Sequence, residues 1–356
     1  MMKALVLAGG KGVRLRPLTY TRPKQLIPLA NKPIISFVVH QIADAGITDV
    51  GIIISPETGS DIEQVLKAYI PHRMKITYIT QDQPLGLAHA VKTAQYFLKD
   101  DPFLMFLGDN LLQNGVTKLV EEFIRKQPDA LILLKQVASP QHFGVVVLDK
   151  EGHVEKLVEK PAIPPSNLAL VGVYLFNSRI HHVIDQIQPS FRNELEITDA
   201  IQKLHDMGGV VDAHFLEGEW LDTGKKDDIL EANKMVLKEY TRHICEGTID
   251  TQSELKEPVE IGKGTKIIRS TISGPVIIGR NVLINDCKIG SFTTIGDKST
   301  LNNVEVGHSV ILENCNLQGV NGIVDSLIGQ NVTIHRGNQE SKARRLFIGD
   351  DSQITF

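Results

Sequence analysis

Apolar residues in the first two thirds of the chain fall in short unbroken runs, each ended by a glycine or proline. Lys3-Ala4-Leu5-Val6-Leu7-Ala8 is closed by glycines, Val50-Gly51-Ile52-Ile53-Ile54-Ser55 by Pro56, and Phe103-Leu104-Met105-Phe106-Leu107 by Gly108-Asp109. Ala130-Leu131-Ile132-Leu133-Leu134 is a fourth. Runs apolar on both faces suit buried parallel strands. Between them lie amphipathic segments, Ile34 to Ala45, Ser60 to Tyr69 and Gly115 to Lys126. This alternation predicts a doubly wound, Rossmann-like α/β sheet covered on both faces. Such sheets bind ligands outside the carboxyl ends of their strands, which singles out Gly9 to Arg14 and Gly108-Asp109-Asn110.

Near residue 240 the period changes. A helix predicted over Lys226 to Tyr240 gives way to a polar stretch, 241–258, expected as a linker. Beyond it an aliphatic residue followed by glycine recurs, with intervals of 17 residues from Ile261 to Ile278 to Ile295, from Ile289 to Val306 and from Ile311 to Ile328. Within each interval the apolar positions step by six, six or five residues, as in Ile261, Ile267, Ile272, Ile278, Ile284 and Ile289. Three short strands per coil, each pointing one aliphatic residue inward, make a three-sided parallel β-helix of about five coils. Arg336 to Arg345 breaks the period and is expected as a loop. Leu346 to Ile354 is expected as a last partial coil. The expected domains are therefore 1–240 and 259–356.

A length of 356 residues fits two domains. A net charge of -4 excludes a general nucleic-acid footprint, so any anion site is built locally. Three cysteines, Cys245, Cys287 and Cys315, with no Cys-x-x-Cys pair, argue against a disulfide framework or structural zinc. No basic-then-apolar leader precedes the first strand, and no apolar run is long enough for a bilayer; a cytoplasmic enzyme with no membrane partner is expected.

Gly9-Gly10-Lys11-Gly12 follows the first strand, where glycines let backbone N–H groups approach a phosphate. It is neither a Walker A loop, since Gly12 follows Gly10-Lys11, nor the dinucleotide fingerprint, since Leu15 stands at the third glycine. A plain strand–helix turn fits it equally well on its own. Arg14, Arg16, Arg22 and Lys24 then crowd into 11 residues, interrupted by prolines. Beside a glycine loop, such a cluster suits a polyphosphate.

The run Leu7-Ala8-Gly9-Gly10-Lys11-Gly12-Val13-Arg14-Leu15-Arg16-Pro17-Leu18-Thr19, then Arg22-Pro23-Lys24-Gln25-Leu26, resembles the opening motif of sugar-1-phosphate nucleotidyltransferases. Gln81-Asp82-Gln83-Pro84-Leu85-Gly86-Leu87-Ala88-His89-Ala90, Glu159-Lys160-Pro161, Glu194-Leu195-Glu196-Ile197-Thr198-Asp199 and Trp220-Leu221-Asp222-Thr223-Gly224 match in order. The likeness is to the glucose-1-phosphate thymidylyltransferase branch, in its long form with a left-handed C-terminal β-helix. It implies attack by glucose 1-phosphate on the α-phosphorus of dTTP, with Mg²⁺ held by Asp109 and Asp222. It also implies catalytic roles for Arg14, Lys24, Asp109, Lys160 and Asp222. Leu7, Gly9, Gly10, Gly12, Val13, Arg14, Lys24, Gln81 and Gly86 would bind the nucleotide; Gly144, Glu159, Lys160, Val171 and Arg192 would bind the sugar phosphate. Val13 departs from the family's usual threonine, which leaves a backbone N–H and removes a hydroxyl.

Each residue also has a structural reading. Asp109 and Asp222 are good turn or cap residues, and Glu159-Lys160 suits an exposed charged turn. Trp220 is the single tryptophan and is expected to pack near the site. A UTP-using relative, with or without acetyltransferase activity in the β-helix, is the alternative. His308 and His335 are the histidines of the repeats and are expected as exposed corner residues. Oligomerisation or cleft support is the expected task of the β-helix, and a homo-oligomer the expected assembly. A catalytically dead regulator is disfavoured, because Arg14, Lys24 and Asp109 are all present.

Overall fold

The computed structural model describes residues 2–336 and 346–355. The chain divides into two compact units, Met1–Gly10 with Ile35–Asp222, and Lys11–Ile34 with Thr223–Phe356.

The first unit is built on a nine-stranded mixed sheet. Its spatial order is Val154–Glu159, Gly144–Leu148, Leu168–Phe176, Phe103–Leu107, Lys3–Leu7, Asp49–Ile54 and Lys75–Thr80. Ala130–Gln136 also pairs with Leu168–Phe176, and Val211–Phe215 pairs with Ala130–Gln136. The four strands from Phe103–Leu107 through Lys3–Leu7 and Asp49–Ile54 to the edge strand Lys75–Thr80 are parallel, as the apolar runs of the first three imply. Leu168–Phe176 runs antiparallel to both Phe103–Leu107 and Ala130–Gln136, so the fourth apolar run is buried in a partly antiparallel region. The helices Ile34–Asp44 and Gly59–Leu66 connect the parallel strands. The chain steps from Lys3–Leu7 outward to Asp49–Ile54 and Lys75–Thr80, then returns to Phe103–Leu107 on the other side of Lys3–Leu7. That reversal is a topological switch point, and it lies between Leu7 and Leu107. The Gly108 N–H donates to the Leu7 carbonyl at 2.9 Å there.

The second unit holds the parallel β-helix: two seven-stranded sheets and one of five strands. Each sheet is an inward ladder of aliphatic residues. One runs Ile261, Ile278, Ile295, Ile311, Ile328, Ile348. A second runs Ile249, Ile267, Ile284, Leu301, Leu317, Ile334, Ile354. Leu255, Ile272, Ile289, Val306 and Ile323 line the third. These residues fill a single core, so each coil is stabilised by its neighbours. Corners turn through left-handed residues, many of them Asn or Asp, which tolerate that region: Asn281, Asp286, Asn303, Asn314, Asn331 and Asp351.

Two expectations change. Residues 241–258 are not a bare linker: Ile244–Cys245, Thr248–Ile249 and Glu254–Lys256 pair in parallel with the next coil, and the β-helix is longer than five coils. His308 does sit at a corner, with φ 45°, but its ring is half-buried and its Nδ1 meets Asp325 Oδ1 at 2.7 Å. Of the expected loop Arg336 to Arg345, residues 337–345 lie outside the described residues. All three cysteines are free thiols; burial pushes the Cys315 thiol up to about 12. No helix among the described residues is long and apolar enough to cross a membrane.

Candidate active site

The first unit carries the residues expected to hold a metal. Asp109 occupies the turn just beyond Phe103–Leu107 and is buried. The next residues, Asn110–Leu112, pair antiparallel with Trp220–Asp222, which sets Asp222 directly opposite Asn110. Opposed residues of an antiparallel pair share a face. Asn110 links the group: its Oδ1 accepts the Trp220 indole N–H at 2.7 Å and its Nδ2 reaches Asp109 Oδ1 at 3.4 Å. Trp220 itself packs on Phe143, with ring centroids 5.2 Å apart. The pairing brings the two aspartates onto adjoining chain segments and presents carboxylate oxygens, the donor type a hard divalent cation prefers. Another cluster of possible metal ligands, Asp149, Glu151 and His153, lies exposed at a hairpin tip. Asp149 there accepts the backbone N–H groups of Glu151 and His153 at 2.9 and 2.8 Å, which is ordinary turn chemistry.

Gln81 directly follows the edge strand Lys75–Thr80. Its Nε2 meets His89 Nδ1 at 2.8 Å and the Gly86 carbonyl at 3.3 Å. For that amide to donate, His89 must be the neutral tautomer with an unprotonated Nδ1. Burial, then Lys92, holds the His89 pKa below the usual histidine range, which favours that form. The Gln81 carbonyl oxygen is left on the side of Gly9.

The expected sugar-phosphate residues assemble in the same unit. Gly144 pairs with Glu159 across a hairpin. Glu159 Oε2 accepts the Thr198 hydroxyl at 2.6 Å, while Oε1 lies 3.2 Å from Lys160 Nζ and 3.3 Å from Arg192 Nη2. Val171 is fully buried in the neighbouring strand Leu168–Phe176. Arg192 is held mainly by other carboxylates, Glu196 at 2.8 Å and Glu194 at 3.1 Å. Four acids, Glu159, Glu194, Glu196 and Asp199, therefore surround two cations. Burial, then Glu196 and Glu159, raises the Asp199 pKa above the usual carboxylate range.

In the second unit, the loop Lys11–Ile34 does not keep its four cations together. The Arg16 guanidinium stacks over Tyr20 at 4.8 Å, and Arg22 turns to Glu313 at 2.7 Å. Lys24 stays beside Gly12, whose φ of 61° favours glycine and where a Cβ would stand only 3.0 Å from the Lys24 side chain. Thr19 Oγ1 closes this turn on the Gly12 carbonyl at 2.8 Å. Val13 and Arg14 are exposed in the short helical turn that follows. The Arg14 guanidinium lies against Gly224: a Cβ there would stand 2.8 Å from Nη2. Gln25 is 1% exposed, and neither of its amide atoms has a hydrogen-bond partner among the described residues.

Sequence reasoning marked Asn110 only as part of the strand-end run Gly108-Asp109-Asn110, and gave no role to Thr198, His89, Gln25 or Gly224. The first three act through side chains distant in sequence, and a buried, unsatisfied amide leaves no trace in a motif. Gly224 had a signal, the glycine closing Trp220-Leu221-Asp222-Thr223-Gly224, but its reason is the guanidinium beside it.

Residues 3–239 match the pattern of the nucleotidyl transferase family. The chain is 45% identical over 354 residues to a glucose-1-phosphate thymidylyltransferase of Streptomyces antibioticus, covering 99% of each. It is 43% identical over 352 residues to the enzyme of that name in Streptomyces griseus, again covering 99% of each. Among solved structures it resembles one from Bacillus anthracis, assigned as a glucose-1-phosphate thymidylyltransferase and bound to sucrose. That likeness has a TM-score of 0.61 at 33% identity and covers 65% of this chain and 94% of the other. With its family pattern spanning the switch-point turn, the paired aspartates and the Glu159 cluster, the chain belongs to the nucleotidyl transferase family.

Proposed function

We propose that this protein transfers a thymidylyl group from dTTP to glucose 1-phosphate. An oxygen of the sugar phosphate bonds to the α-phosphorus as the α–β bridge breaks, and pyrophosphate leaves with the electron pair. The observation that carries the reading is the Asp109–Asn110–Asp222 arrangement at the switch point of a sheet whose family transfers nucleotidyl groups.

A phosphate monoester has its second pKa near roughly 6, so the nucleophile is already ionised at neutral pH and needs no general base. The protein's task is positioning and charge neutralisation. Asp109 and Asp222 would hold Mg²⁺, which supplies charge neutralisation on the phosphate oxygens. Arg14 and Lys24 take the triphosphate, with the backbone of Leu7, Gly9, Gly10, Gly12 and Val13 as cradle. The Gln81 carbonyl accepts the N3–H of thymine, and Gly86 leaves room for the base. Glu159 accepts a sugar hydroxyl beside Gly144 and Val171. Lys160 meets the sugar phosphate, while Arg192, with Glu194 and Glu196 on it, orients Glu159. A self-associated cytoplasmic enzyme is the setting this reading implies.

Incubation with glucose 1-phosphate, dTTP and Mg²⁺ is expected to give dTDP-glucose and pyrophosphate in equal amounts, read by mass spectrometry and a coupled phosphate assay. Chelation of the metal, or Asp109→Asn, is expected to abolish both. An absence of nucleotide sugar in the wild type would refute the activity, and near-normal turnover by Asp109→Asn would refute the metal assignment.

A further inference from the structure

Arg22 lies two residues before Lys24, yet its bonds go to the β-helix. Its Nη2 donates to Glu313 Oε1 at 2.7 Å and Gln330 Oε1 at 2.5 Å. Its side chain is 17% exposed. Thr21, just before it, donates its hydroxyl to Asp350 Oδ2 at 2.6 Å. Glu313, Gln330 and Asp350 each stand two residues beyond an inward isoleucine of one ladder, Ile311, Ile328 and Ile348. Three consecutive coils thus present one acceptor each along a single corner.

The far end of the loop is fixed as well. Asn31 Nδ2 donates to the Ile295 carbonyl at 2.9 Å, on the preceding coil of the same ladder. The Ala30 N–H donates to Asn233 Oδ1 at 2.9 Å, and that oxygen also accepts the Thr294 hydroxyl at 2.9 Å. Asn233, on helix Lys226–Tyr240, is 1% exposed and donates its Nδ2 to the Phe292 carbonyl at 3.3 Å. Ala30 and Asn31 adopt φ of 48° and 61°, a region that non-glycine residues hold when neighbouring bonds fix them. Near the start of the loop, Gly349 packs against Pro17, leaving 3.0 Å between Pro17 Cβ and the place a Cβ on Gly349 would take.

We infer that this corner of the β-helix is a positioning device for the loop that carries Arg14 and Lys24, with Arg22 and Asn233 as its two anchors. The β-helix then contributes to nucleotide binding without touching the nucleotide, and Arg22 is a positioning residue. The inference rests on the functional reading above for what the loop binds, and on the bonds alone for what holds the loop. General cohesion of the unit predicts something different: loss of folded enzyme, with every surviving molecule normal toward both substrates.

The test uses full-length protein carrying Glu313→Ala with Gln330→Ala. Misplacement of a binding group by a fraction of an ångström is expected to raise the KM for dTTP about tenfold. The KM for glucose 1-phosphate should stay within roughly twofold. The charge exchange Arg22→Glu with Glu313→Arg is expected to bind dTTP better than Arg22→Glu alone. Hydrogen exchange at the amides of Lys11–Ile34 should accelerate in the double alanine variant, while helix Ile197–Asp206 is unaffected. A wild-type KM for dTTP in an active enzyme, or unchanged loop exchange, overturns the positioning role. A wild type that exchanges as described but turns over no dTTP sinks the functional reading instead, and the exchange result still decides the anchor.

Discussion

Single residues in this protein separate function from stability in opposite directions. Gln25 buries an amide with no partner among the described residues, and an unsatisfied buried amide costs about 1–3 kcal/mol. An apolar side chain of similar shape removes that cost. Gln25→Met is therefore expected to leave the urea midpoint unchanged or raise it while kcat/KM falls; a variant as active as the wild type would show the amide to be idle. Gly224 makes a different separation. The atoms nearest a methyl group there are those at the far end of the Arg14 side chain, which can swing away cheaply. Gly224→Ala should then unfold at nearly the same temperature and lose about 10²-fold in kcat/KM, the cost of a displaced binding group. Asp199 adds a pH signature. Its folded pKa is raised, so the native state binds the proton more tightly than the unfolded chain does. Stability is accordingly lost as pH rises from the unfolded value, roughly 3.9, through the folded one, and the deficit is complete above both. Asp199→Asn should raise the urea midpoint at pH 7, and the gain should shrink as the pH is lowered toward about 4. A gain that grows on acidification would mean the carboxylate is stabilised in the native state.

At the scale of elements, the periods along the chain located four of the nine strands of the mixed sheet, four helices and the coils of the β-helix from Ile261 onward. Phe103–Leu107 and helix Lys226–Tyr240 match their expected bounds, because apolar runs and amphipathic stripes are local properties. The strand Leu168–Phe176 was not among the runs read from the sequence, and an apolar run of that kind reads alike in either direction, so its antiparallel pairing was not legible. The first coil of the β-helix was missed for a physical reason. The residues in register with its inward ladders are Cys245, Ile249 and Leu255, spaced four and six apart; Cys245 is exposed, the other two are half-buried, and most of the stretch is polar. An end coil has a neighbour on one side only, so its sequence is under weaker demand for a regular apolar step. The cation cluster shows the same limit from the other side. Arg14, Arg16, Arg22 and Lys24 are adjacent in sequence, and adjacency suggested one polyphosphate site. Their neighbours, Gly224, Tyr20, Glu313 and Gly12, are set by tertiary structure, which sends the four side chains to different places.

For the molecule as a whole, the motifs carried the nucleotidyl chemistry well and the second unit's contribution poorly. The motifs marked Asp109 and Asp222 as candidates; that Asp222 stands opposite Asn110 on a paired strand, with Asp109 in the turn beside it, was not legible. The 17-residue repeat specified a β-helix and said nothing of which corner would hold the opening loop. The central claim remains one of substrate: the Gln81 amide is fixed by His89 and Gly86, and the proposed function has its oxygen accept a pyrimidine N3–H. That edge is common to thymine and uracil, so preference between them must come from the methyl group and the sugar 2′ position. The most direct measurement is kcat/KM for pyrophosphate release with glucose 1-phosphate and each nucleoside triphosphate in turn. The account predicts dTTP ahead of UTP and of every purine triphosphate; another triphosphate ahead of dTTP by about tenfold, a difference of about 1.4 kcal/mol in transition-state binding, would contradict it.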